Sequence, residues 1–434
     1  MATYRTIMSK ANYLLFLAVL FCLPFPQIGL RYLIVAWGVS WLLEGRWLSR
    51  PEQCQDIGNG WSRRWPSSLW VPCVLFALWF VWECVSMLWA PDKALAKAQI
   101  ERHLAIPMLL PITIWGVNNL YDYRRIRQVI VYGALAAVPV YFFTMFWVFN
   151  HTCVEHPNDC LPTHMFPMAF FANGISAIKH RLFLSSAEIL GIIAACYRRK
   201  ELSRAYGSVE GWLITIMEVA AMCSLVLATG SRASLFAGVA LAGVATVEHT
   251  PKKYKSLAIS GALILAVLMS ICVVKLHPRM QSFEWEHLRL EKMDASRNAR
   301  LNIWSMALDE PKDYLWQGLG AGQSPQYLQQ RYAEHGYTSY VQQGHHAHNQ
   351  YLMELLELGV FGLALFVLAC VSPVIFARNR QKQTAAYMLT LYGMNMLTDN
   401  MFGKFDGIAI WCVWMMLIML QADTQGKQQA ARDA

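Results

Sequence analysis

The chain has 434 residues, 56% apolar and only 15% charged, with a mean hydropathy of +0.30. Soluble chains carry about 25% charged residues and about 45–50% apolar ones, so a soluble multidomain enzyme, a disordered chain and a disulfide-stapled miniprotein are excluded. The formal net charge of +9, from 37 basic and 28 acidic residues, belongs first to cytoplasmic loops in a membrane protein and implies no nucleic acid.

Apolar runs predict an all-α, polytopic integral membrane protein of about twelve transmembrane helices, at roughly 20 residues per crossing. They lie near 12–25, 29–43, 69–90, 104–118, 128–149, 182–197, 211–228, 233–248, 256–276, 351–376, 384–398 and 408–421. The first run has a basic flank (Arg5, Lys10), but Pro24-Phe25-Pro26 follows where a signal peptide needs a small-residue cleavage site. It reads as an uncleaved helix. The expected organisation is residues 1–276 with nine helices and short loops, 277–350 as one large outer loop, 351–421 with three helices, and 422–434 as a polar tail. If both termini are cytoplasmic, the inner segments hold 21 Lys and Arg against 7 in the short outer loops. That asymmetry sets the orientation and turns the large loop to the periplasm.

Of eleven cysteines, Cys153 and Cys160 share an outer loop expected at 150–181. An oxidising compartment would join them; two free thiols are the alternative. Glu83, Glu188 and Glu218 fall inside predicted spans, where an acid is either functional or a helix-packing hydrogen-bond partner.

The large loop reads as helical. Ser296 is placed to cap a helix bearing Leu301, Trp304 and Leu308, ended by Pro311, and Ser324-Pro325 to open a second helix through Tyr332. Gly318, Gly320 and Gly322 make the turn between them. Six of twelve histidines lie in this loop and five more in other outer segments. Gly344-His345-His346-Ala347-His348-Asn349-Gln350 returns the chain to the membrane. A histidine at such a helix start suits a general base; a metal site and plain interface packing are the alternatives. Thr229-Gly230-Ser231-Arg232 sits at another outer helix junction, where the guanidinium is either a snorkelling anchor or a phosphate ligand. Arg297 and Arg300 precede Trp304, with Arg300 on its face of the helix. Lys97 and Arg102 lie on an outer amphipathic stretch, as surface cations or phosphate contacts. There is no GxxxxGK[ST], no GxSxG, and no acid in the first outer loop around 25–30; the last absence argues against metal-dependent glycosyltransferases that hold their ion there.

The Arg300-x3-Trp304 helix, the Gly318-Leu319-Gly320 turn, the His348-Asn349-x-Tyr351-Leu352…Glu357-x-Gly359-x2-Gly362 stretch and the upstream Gly230-Ser231-Arg232 together resemble the bacterial O-antigen ligase/polymerase superfamily. The resemblance covers about 229–365 in motif. It implies a GT-C-like glycosyltransferase of the bacterial inner membrane with its active site on the periplasmic face. The implied donor is O antigen on undecaprenyl diphosphate, and the implied acceptor of a ligase is lipid A–core. An O-antigen polymerase and an O-linked protein oligosaccharyltransferase are rivals within the family; a lipid or polysaccharide transporter is the rival outside it. A diphosphate is already a good leaving group, so the chemistry needs charge stabilisation and a base. Arg232 and Arg300 are the expected diphosphate clamp and His348 the base, with His346, Asn349, Arg297, Lys97 and Arg102 secondary. No cofactor and no metal is expected, and direct attack would invert the anomeric carbon.

Overall fold

The computed structural model describes residues 2–45, 70–115, 120–155, 179–249, 299–377 and 379–433, with 252–254 and a few positions between 256 and 264. The described elements are α1 (Ala2–Cys22), α2 (Gln27–Glu44), α3 (Trp70–Ser86), α4 (Lys93–His103), α5 (Ala105–Trp115), α6 (Tyr123–Glu155), α7 (Arg181–Tyr206), α8 (Ser208–Thr229), α9 (Arg232–His249), α10 (Ala299–Ala307), α11 (Ser324–Glu334), α12 (Thr338–Gln343), α13 (Gln350–Phe376), α14 (Asn379–Met396) and α15 (Phe405–Asp433), with 3-10 turns at Lys252–Tyr254 and Pro311–Asp313. Among the described residues four stretches are long and apolar enough to cross a bilayer: Tyr4–Cys22, Tyr123–Trp147, Ser208–Thr229 and Gln350–Phe376. The protein is a helical membrane protein.

Several boundaries differ from expectation, that of α7 among them, which runs to Tyr206 against an expected end at 197. Helix α6 runs on to Glu155, through the start of the expected outer loop, and α15 continues to Asp433 through the expected tail. Ser324 is the first residue of α11, not its cap. Ser296, Arg297, Cys160, the side chain of Cys153 and most of the 256–276 run lie outside the described residues.

The chain forms two compact units. The first comprises residues 1–61, 115–282 and 427–434. Its α1–α2 hairpin is pinned by buried polar groups. Ser9 Oγ and Asn12 Nδ2 donate to the Glu44 carboxylate at 2.5 and 2.8 Å, while Asn12 Oδ1 accepts from Trp37 Nε1 and the Tyr121 hydroxyl at 2.8 and 2.9 Å. Helices α7 and α8 form an antiparallel pair through the short link at Gly207. The buried Arg198–Glu218 ion pair ties one end and a Ser185–Thr229 hydroxyl bond of 2.8 Å the other. Glu218 is therefore a packing partner. Glu188 is fully buried with neither oxygen hydrogen-bonded.

The second unit comprises residues 62–114 and 283–426. From Asp406 to Ile418 every residue of α15 is buried, the signature of a helix apolar on all sides and enclosed by others. Helix α13 packs along α3 and α14 and is broken in mid-course: Gly359 has φ 67° and ψ −170°. A break exposes backbone groups that an apolar medium cannot solvate. Here the loop at residues 315–320 satisfies them. Leu356 and Glu357 carbonyls accept from Leu319 and Gly320 N–H at 2.8 and 2.9 Å, and Val360 N–H donates to Leu315 O at 2.7 Å. The Leu358 carbonyl accepts from Trp82 Nε1 at 3.0 Å. The loop is also stapled to α3 and α4. Trp89 Nε1 donates to Gly318 O (3.1 Å), Ala321 N–H to Ser86 Oγ (2.9 Å), and Gln323 Nε2 to Asp92 O (2.8 Å). Ser324 Oγ reaches Glu357 Oε1 at 2.5 Å.

The approach is close enough to demand glycine. Gly318 and Gly359 both have positive φ, and a Cβ on either would overlap the backbone of the other strand of chain, at Glu357 and Trp316 respectively. Gly336 also has positive φ (75°) but open space around it. We predict that Gly336→Ala costs only the left-handed strain, about 1–2 kcal/mol. Gly318→Ala and Gly359→Ala should cost clearly more, because backbone has to move as well. Thermal midpoints of the three variants in detergent check this; equal shifts would refute the packing argument.

Candidate functional site

The His-rich segment leads directly into α13, and its backbone is held at several points. Asn349 is the N-cap of α13: its side chain accepts from Leu352 N–H at 3.1 Å. An Asn in this role satisfies an otherwise orphaned helix donor, so Asn349 orients the segment. The Ala347 carbonyl accepts from Trp304 Nε1 at 2.8 Å. Between them His348 has φ 47°, the sole non-glycine residue with positive φ among those described. Such a conformation costs about 1–2 kcal/mol and persists where neighbours over-determine it, as at functional sites.

The ring of His348 is part-buried. Its Nδ1 is enclosed with no hydrogen bond and lies 3.7 Å from Asp399 Oδ1, within ion-pair range. With Nδ1 turned to the carboxylate, Nε2 is the atom left for substrate. The imidazole of His346 stacks over that of His348, centroids 3.9 Å apart, and its Nδ1 accepts from the His348 backbone N–H at 3.1 Å. Burial, reinforced by His348, pushes His346 down to about 4; burial also lowers His345.

His346, His348 and Asp399 bring three potential ligand atoms within 4.8 Å of one another. The hydrogen bond into His346 Nδ1 puts the ring hydrogen of its neutral form on Nε2. That leaves no lone pair on His346 for a cation, so the trio as arranged falls one donor short of a ligand set.

Arg300 lies on the exposed side of α10. Trp304, one turn further on, makes the bond to Ala347 that joins α10 to the His segment. The fold thus attaches Arg300's helix to the backbone at Ala347, next to His348. Lys97 is paired with Glu101 at 3.8 Å on an exposed helix face, and Arg102 donates to Gln99 Oε1 at 3.0 Å. Arg232 opens α9 in the first unit, after Gly230 ends α8 with φ 60°. Asp399 was not among the residues singled out from sequence. The available signal was topological: the expected helix 384–398 runs outward, so Thr398-Asp399-Asn400 emerges on the same face as His348.

A depressed histidine binds fewer protons folded than unfolded, so its contribution to stability weakens as pH falls below the unfolded value. His346 should therefore destabilise the fold progressively from pH 6.5 toward about 4. Thermal midpoints should fall less steeply across that window in His346→Gln than in the parent; parallel curves would remove His346 as the cause.

Residues 219–367 match the family model described as O-antigen ligase. The match takes in Arg232, Arg300, His348 and the Gly359 break, and stops short of Asp399. Among curated proteins none matches the chain. Over residues 219–367 the chain is therefore similar to the O-antigen ligase family.

Proposed function

We propose that the protein is an O-antigen ligase. It transfers O-antigen polysaccharide from undecaprenyl diphosphate to a sugar hydroxyl of lipid A–core, on the periplasmic face of the bacterial inner membrane. The proposal includes about twelve spans in a GT-C-like arrangement and cytoplasmic termini. The observation that carries the reading is the His348–Asp399 pair at the N-terminus of α13, with His348 in a strained conformation and its Nδ1 facing a carboxylate.

In this reading His348 Nε2 takes the proton from the acceptor hydroxyl, a contribution of typically about 10²–10⁴ in rate. The resulting oxygen nucleophile attacks the anomeric carbon as the bond to the diphosphate breaks, so the configuration inverts with no covalent intermediate. Asp399 stabilises the imidazolium that forms. Charge develops on the departing undecaprenyl diphosphate, where guanidinium groups bind bidentately. Arg300 is the first candidate for that role and Arg232 the second. Lys97 and Arg102 are candidates for weaker contacts with donor phosphate or membrane lipid headgroups. No step calls for a metal or ATP.

The test is transfer by purified protein supplied with lipid-linked O antigen and rough lipopolysaccharide, with EDTA and without ATP. We expect product under those conditions, none from His348→Ala, a loss of about 10²–10³ from Arg300→Ala and from Arg232→Ala, and a loss of about 10–100-fold from Asp399→Asn. Near-normal transfer by His348→Ala overturns the base assignment. A deletion strain separates ligase from polymerase: bare core with accumulated lipid-linked polymer supports the ligase, a single repeat on lipopolysaccharide supports the polymerase.

A further inference from the structure

The connection carrying Asp399, residues 397–404 between α14 and α15, is anchored at Phe402. Its ring is fully buried among Phe76, Trp79, Phe366, Tyr392 and Trp411. Both of its backbone polar groups are taken up by side chains from other helices. The N–H donates to Gln350 Oε1 at 2.8 Å, and the carbonyl accepts from His103 Nε2 at 3.0 Å. Gln350 follows His348 and Asn349 directly in the chain, and its amide donates to Glu354 Oε1 at 2.8 Å. Glu354 also accepts from Trp79 Nε1 at 2.8 Å. On its far edge, His103 Nδ1 lies 2.6 Å from Glu83 Oε1.

These contacts set what His103 must do. A carbonyl can only accept, so His103 Nε2 carries a hydrogen. The short Nδ1–Oε1 contact shares a second hydrogen with the Glu83 carboxyl. A side chain that serves two partners on opposite ring edges in a site 1% exposed is orienting something, since burying an ionisable pair brings little net stability compared with apolar packing. What it orients is the Phe402 carbonyl, three residues from the carboxylate at His348. The same turn is closed locally by Asn400, whose Oδ1 accepts from Gly403 N–H at 2.7 Å, so fixing Phe402 fixes the turn as a whole.

We propose that the buried Glu83–His103 pair is a positioning device for the transfer reaction: it holds the Phe402 carbonyl and, through that turn, keeps the Asp399 carboxylate against His348. The proposal rests on the reading of His348 as the base. His103 touches no reacting atom; it acts through the turn. Gln350 completes the device from the other side, tying the same turn to the residue next to Asn349.

The test uses the full-length purified protein in the ligation assay, with kcat, donor KM and the pH dependence of kcat/KM measured for each variant. The titratable groups acting on His348 and its stacked neighbour are His345, His346, Asp399 and Lys404; those acting on His103 are Glu83, Glu354 and Glu357. His103→Ala should lower kcat by about 10–100-fold with donor KM little changed. Its acidic limb should move to lower pH, as in Asp399→Asn, because an imidazolium without its carboxylate loses its proton more readily. His103→Gln, whose amide can still donate to the Phe402 carbonyl, should recover most of the rate. The double variant His103→Ala/Asp399→Asn should be no slower than Asp399→Asn alone. Parent-like kcat and acidic limb in His103→Ala, or losses that multiply in the double variant, overturn the proposal. If His103→Ala does not purify as folded protein, Gln350→Ala carries the test, since it cuts the bond to Phe402 N–H; an unmoved limb there is equally fatal. A fully active His348→Ala refutes the base reading instead. An inactive His348→Ala beside a parent-like His103→Ala, or beside a parent-like Gln350→Ala where His103→Ala does not fold, refutes the positioning role alone.

Discussion

The second unit depends on one constraint: backbone polar groups released inside an apolar helix bundle need partners. Gly359 interrupts α13, and the interruption is affordable only because residues 315–320 of the outer loop arrive with the complementary donors and acceptor. The dependence runs both ways. The loop has no sheet or disulfide among the described residues to define it; the freed carbonyls of Leu356 and Glu357 and the N–H of Val360 supply its fixed points. A loop docked by main-chain hydrogen bonds to a membrane helix has its register set to within a residue. The side chains it presents are then placed by the helix, and the short helices α10, α11 and α12 build their own apolar core on that base.

His348 inherits this order. It stands just ahead of α13, between a capping asparagine and a carbonyl held by Trp304, so its unfavourable backbone conformation is imposed from both sides. The positive φ aims the ring at the 397–404 turn in place of the helix's own axis, where Asp399 awaits. The carboxylate is in turn located by groups deep in the bundle. Polar satisfaction thus runs from Trp79, through Glu354 and Gln350, to the turn beside the imidazole.

Much of this was legible from sequence, and the part that was not has a physical reason. Gly318-Leu319-Gly320 and Gly359-x2-Gly362 stand out as small-residue patterns, and the helices around Trp304 and after Ser324 follow from periodicity and proline placement. That the two glycine patterns are partners is invisible in the string, since main-chain pairing leaves no side-chain signature. Asp399 escaped for a different reason. It lies 51 residues beyond His348 and no local spacing rule links them; only the alternation of helix direction across the membrane puts them on one face. Glu83 and Glu218 looked alike as acids in apolar runs. Their partners, His103 and Arg198, come from other helices, so charge pattern alone could not tell a positioning pair from a packing one. The helical continuations of α6 and α15 were missed because polarity was taken to end a helix, although a helix leaving the bilayer has no need to stay apolar.

The charge balance of the opening can now be reconsidered residue by residue. Many cations visible in the sequence serve the fold. Lys179 donates to the Leu23 and Phe25 carbonyls, and Lys93 to those of Met87 and Leu88, each neutralising a helix C-terminus as the helix dipole favours. Arg331 gathers Asp309, Glu310 and Glu334, and Arg127 and Arg198 hold Glu201 and Glu218. A net charge of +9 is therefore poor guidance to where an anionic substrate binds. What distinguishes Arg300 is its location: it stands one helical turn from the tryptophan that fixes the backbone of His348. On the proposed reading, in which a diphosphate and a base meet at one bond, that attachment matters more than any local surplus of positive charge.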